Sequence, residues 1–72
     1  MKKQETYGML LQKSVSIEGK TYVCGRIIDN EKSTPVALPF EEVDGMALQF
    51  GDSVMVKKVN QEINGYTKVS AL

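Results

Sequence analysis

Apolar residues along this chain recur mostly at every second position, in runs of strand length broken by polar turn residues. In "YGMLLQKSVSI" (Tyr7–Ile17), Met9, Leu10 and Leu11 give way to Val15 and Ile17, which alternate with Ser14, Ser16 and Glu18. Glu18-Gly19 is a turn signal, and "KTYVCGRII" (Lys20–Ile28) is a β-branched and aromatic second strand. Gly25 within it predicts a bulge or a bend. After the polar turn Asp29–Ser33, a third strand spans Thr34–Leu38, with Pro35 limiting how much of it sits mid-sheet. The pattern then changes. Phe40, Val43 and Ala47 share one helical face over Phe40–Leu48, with Glu41 and Glu42 in the first turn, where they suit the helix dipole. Gly45 weakens that helix, so a short or irregular one is expected. Gly51-Asp52 reopens the sheet, and "SVMVKKV" (Ser53–Val59) is a fourth strand with Val54 and Val56 inward. Asn64-Gly65 signals a two-residue hairpin leading into a fifth strand, Tyr66–Leu72. A strict two-residue loop would set Val59 against Ser70 and Val69 against Asn60, so a bulge at Lys57-Lys58 or a longer loop is expected.

Three strands, a short helix and two strands make a mostly β chain in the element order of the OB-fold, a small five-stranded Greek-key barrel. The expected architecture is therefore an OB-like barrel with one short helix between strands 3 and 4. That helix would plug one end of the barrel, with Phe40 and Phe50 as core or plug residues. The alternative, an SH3-like barrel, places its helical turn between the last two strands, where this chain has Asn64-Gly65.

Length and composition narrow the chemistry. The 72 residues form one domain, residues 1–72, close to the lower size limit for a single apolar core. With one cysteine and no histidine, neither an intramolecular disulfide nor a Cys/His zinc site can support it. Cys24, between Val23 and Gly25, reads as a small buried hydrophobe. No stretch has the length of a membrane span or the apolar core of a signal peptide, so a cytoplasmic setting is expected. Nine basic and nine acidic residues cancel, but they are segregated. Residues 29–52 hold Lys32 against Asp29, Glu31, Glu41, Glu42, Asp44 and Asp52, whereas both ends are basic. A net charge of zero can hide a basic face.

Enzymatic readings find little support. Without histidine there is no Ser-His or Cys-His pair, and the six glycines are scattered singly, forming no phosphate-cradling loop. Glu41, Glu42 and Asp44 lack the spacing of an EF-hand loop. No catalytic residue, metal or cofactor is expected. The better class is a binding module. On strand 2 Val23 and Ile27 form the expected core face, which would turn Tyr22 and Arg26 outward beside Lys20. With Lys57, Tyr66 and Lys68 on the last strands, these make a candidate face for single-stranded nucleic acid, which needs basic side chains and stacking aromatics. The alternative is a protein-interaction or inhibitor module working through the acidic segment (Glu41, Glu42, Asp44) or an open sheet edge. Self-pairing into a homodimer belongs to the same class.

Two family resemblances accompany these motifs. "IEGKTYV" (Ile17–Val23) followed by "LQFGDSVMV" (Leu48–Val56) resembles the small soluble OB domain of NfeD-type membrane-associated proteins, and implies the fold alone. "VALP" followed by "GDSVMV" is similar to the core of AbrB-type swapped-hairpin domains. That resemblance implies an intertwined dimeric DNA-binding protein, here with acidic residues where that family carries Arg or Lys.

Overall fold

The computed structural model describes residues 6–72. Lys2, Lys3 and Glu5, which contribute to the basic character of the N-terminal end, lie outside the described residues. Five strands form a closed barrel: β1 (Tyr7–Ile17), β2 (Lys20–Asp29), β3 (Lys32–Pro39), β4 (Ser53–Ile63) and β5 (Tyr66–Ala71). Their order around the barrel is β1-β2-β3-β5-β4, with β1 pairing back onto β4. All neighbours are antiparallel except β3 and β5, which run parallel over Val36–Ala37 and Thr67–Lys68. The parallel contact starts just past Pro35, which has no N–H to donate. The expected OB-like barrel is the one observed. Each strand pairs with two others of the chain.

Three two-residue turns connect the hairpins. Glu18-Gly19, Asn30-Glu31 and Asn64-Gly65 each have both residues at positive φ, the type I′ pattern whose twist matches that of the flanking strands. Two bulges then set the register. In β1, Leu11 lies opposite Gly25 but Lys13 lies opposite Cys24, leaving Gln12 as the extra residue. At Gly25 a side chain is excluded outright: a Cβ there would lie 1.8 Å from the Leu10 carbonyl oxygen. In β4 the shift falls between Lys58 and Glu62, with Asn60 at φ 62°, rather than at Lys57-Lys58. It brings Lys58, not Asn60, opposite Val69 and Lys57, not Val59, opposite Ser70; two extra residues leave the side parity unchanged, so Val69 still faces a polar residue.

Successive side chains of a strand point to opposite sides of the sheet, and the two sides build two apolar clusters. Inside the barrel lie Met9, Leu11, Val23, Ile27, Val36, Leu38, Val56 and Val69, joined by Val43. Val56 is fully buried and Val54 half-buried, both inward as expected. On the outer side of β2 and β3, Ile17, Tyr22, Cys24 and Ala37 are covered by Val15, Ile63 and Tyr66. Burying side chains of this size contributes about 1.5–3 kcal/mol each for Val, Leu, Ile or Met. Sharing β2 and β3 between two clusters multiplies that gain in a short chain.

The expected helix shrinks to one 3-10 turn, Phe40–Glu42, between β3 and β4. Pro39 at its start offers no side-chain cap, and positive φ at Gly45 (93°) and Ala47 (49°) ends any continuation. Of its apolar face only Val43 is buried. Phe40 and Phe50, expected as plug residues, are 44% and 61% exposed. The turn is instead fastened by Glu42, whose Oε1 accepts from the Ser70 hydroxyl and the Ala71 N–H, both at 2.8 Å. At another mouth of the barrel, Lys58 pairs with Asp29, its ammonium 5.4 Å from the centre of the Tyr7 ring.

Candidate nucleic-acid interface

The bulge at Gln12 changes which residues of β1 face outward. Before it, Met9 and Leu11 point into the barrel; beyond it, simple alternation would send Lys13 inward too. The extra residue reverses the parity, and Lys13 turns outward beside Cys24. Pairing then runs continuously across four strands: Lys13 with Cys24, Cys24 with Ala37, and Ala37 with Lys68. Two lysines thus flank a floor of two buried small residues, separated by three strand spacings, roughly 14 Å. Arg26 stands one outward position further along β2, opposite Leu10 and Pro35. Its Nη1 donates to the Ser33 hydroxyl at 3.0 Å, which directs the guanidinium along the outer side of the sheet.

A cleft of about 350 Å³ opens here. Gln12, Lys13, Arg26, Asn64 and Tyr66 supply its polar groups, with Gly25 and Pro35 between them. Asn64 reaches it because the β4–β5 turn sits beside the bulge of β1 and the start of the parallel contact. Tyr66 is half-buried and hydrogen-bonded to Cys24. Burial pushes the Cys24 thiol above its ordinary pKa, while the Tyr66 hydrogen bond and the Lys13 charge pull it part of the way back. The thiol therefore stays protonated at neutral pH, the inert buried cysteine expected from the sequence.

The six residues expected to share a binding face fare differently. Arg26 and Tyr66 meet in the cleft, and Lys68 adjoins it through the cross-strand row. Lys57 is outward on β4 opposite Ser70, outside the cleft lining. Lys20 is outward but turned to the acidic segment, 3.7 Å from Glu41 and 5.8 Å from the centre of the Tyr22 ring. Tyr22 is not an outward stacking platform: it is 7% exposed, part of the outer apolar cluster. Its outward parity holds, but Val15 and Ile17 on the neighbouring strand cover it. Lys13 and Asn64 were not expected. Nothing in "MLLQK" marks Gln12 as a bulge, and Asn64 reads simply as a turn residue.

The outer side of the sheet has one further property. Among described residues, every Asp, Glu, Lys or Arg at an outward strand position is basic: Lys13, Lys20, Arg26, Lys57 and Lys68. The strand carboxylates Asp29 and Glu62 have inward parity, opposite Lys32 and Thr67. The other described acids lie in turns and in the β3–β4 connection. No group of three or more potential metal ligands occurs among the described residues, and none of their helices is long and apolar enough to cross a membrane. Comparison with protein-family models, with curated proteins and with solved structures finds no match to this chain in any of the three.

Proposed function

We propose that this protein is a non-enzymatic OB-fold module that binds single-stranded nucleic acid across the outer side of β1, β2, β3 and β5. The observation that carries the reading is the sorting of charge by sheet side. A chain of zero net charge keeps carboxylates off the outward strand positions and places five cations there. Strand order and the helical turn between β3 and β4 support the OB-fold assignment. Lys13, Arg26 and Lys68 contact phosphates, Tyr66 offers the stacking ring, and Asn64 supplies a donor and an acceptor to a base edge. Tyr22 lies outside the cleft lining, in the outer apolar cluster.

The test is fluorescence anisotropy of a labelled oligothymidylate at low and near-physiological salt. Binding should saturate and weaken as salt rises. Lys13→Ala, Arg26→Ala and Lys68→Ala should each reduce the salt slope by about 1. Tyr66→Ala should weaken binding by about 1–3 kcal/mol. A flat titration at low salt, with the protein folded by circular dichroism, would refute the reading.

A further inference from the structure

The shortened helix leaves the barrel end open. Where a full helix would lie across the β1–β2 hairpin, a cavity of about 490 Å³ remains, within the range of small ligand pockets. Its floor is the barrel core itself, Leu11, Val23 and Val43, and its walls include Phe40, Leu48 and Phe50. Ser14, Thr21 and Gln49 are its polar lining, and no charged side chain lines it. Met46, 45% exposed, extends the apolar surface along the same connection.

The charge beside this cavity selects its occupant. Segment 40–52 carries Glu41, Glu42, Asp44 and Asp52 and no basic residue. Glu42 is committed to Ser70 and Ala71, and Asp52 Oδ2 accepts from the Gln49 N–H at 3.0 Å. Glu41 has a 70% exposed side chain with only Lys20 beside it, and Asp44 is exposed. Anionic polymers and anionic lipid surfaces are repelled from such a rim, whereas Lys or Arg is attracted.

We infer that this barrel end is a docking site for a basic peptide segment of a partner protein. The segment inserts one aromatic or leucine side chain between Phe40, Leu48 and Phe50, with flanking Lys or Arg over Glu41 and Asp44. An apolar anchor in a desolvated pocket within a polar rim is the usual form of a peptide hot spot. The site lies apart from the Lys13–Arg26–Tyr66 cleft and does not depend on what binds there.

The probe is a fluorescein-labelled short peptide of the pattern Lys-Arg-Leu-Trp-Leu-Arg-Lys, titrated against the full chain. Saturable one-to-one binding is expected. It should weaken about tenfold or more when the three apolar residues become Ala, and vanish when the basic residues become Glu. Phe50→Ser and Asp44→Lys, both at exposed positions, should each weaken binding about tenfold with unchanged melting temperature; Met46→Ser replaces Phe50→Ser if that variant does not fold. Equal affinity for the alanine peptide, indifference to these substitutions, or no saturation would overturn the inference. So would concentration-dependent dimerisation in sedimentation that Phe50→Ser abolishes, since the occupant would then be a second copy.

Discussion

Single residues decide more of this barrel than their chemistry suggests. Gly25 has an ordinary backbone and no left-handed φ, yet it is irreplaceable because the Leu10 carbonyl occupies the space of a Cβ. The same approach lets β1 bulge at Gln12 and turn Lys13 outward. Gly25→Ala should therefore cost several kcal/mol in urea unfolding. No loss, or a gain of about 0.5–1 kcal/mol from the ordinary preference of Ala over Gly, would mean the two strands can separate there. The glycine was legible in the sequence as the mark of a bulge or bend. That the extra residue belongs to the facing strand was not, because a bulge is a property of a pair of strands.

At the scale of elements, the strands and the place of a short helical turn were legible, but not how short that turn is. Alternation in "SVSI" and "VMV" and the turn pairs Glu18-Gly19 and Asn64-Gly65 are local signals, and each produced the expected hairpin. The Asn30-Glu31 turn uses the same geometry with a poorer residue, since Glu31 adopts φ 66° with a full side chain. Glu31→Gly should stabilise the protein by about 0.5–1 kcal/mol, visible as a raised melting temperature, by relieving the left-handed strain. A lower melting temperature would show that flexibility gained in the unfolded chain outweighs that relief. The segment Phe40–Leu48 stays at one turn partly for a reason in its own sequence, Gly45, where φ turns positive. A second restraint comes from outside it: Glu42 reaches β5, residues distant in sequence, and fastens the single turn there.

For the whole molecule, two apolar clusters on opposite sides of β2 and β3 must form together. Leu38, fully buried in the inner one, sits on β3 beside Ala37 of the outer one. Leu38→Ala should cost about 2–5 kcal/mol, a large share of what so small a chain can hold. Unfolding followed by tyrosine fluorescence and by circular dichroism should remain a single coincident transition. Separate transitions would show that the outer cluster around Tyr22 and Tyr66 melts on its own. The outer cluster also explains why Tyr22 was misplaced. Alternation reports the side of a sheet, and in a single layer the outer side meets water; here the curl of β1 and the β4–β5 hairpin covers it.

The alternation of apolar residues, the turn dipeptides and the break at Pro39 were sufficient to determine five strands with a helical turn between the third and fourth, and to favour an OB-like barrel over an SH3-like one. These signals are local, and in a chain this short few topologies satisfy them. Which outward residues meet in one cleft, which tyrosine is buried and how far the barrel end stays open were decided only by tertiary pairing. Two bulges and the carboxylate of Glu42 set those outcomes. Each acts between segments far apart in sequence, where periodicity carries no information.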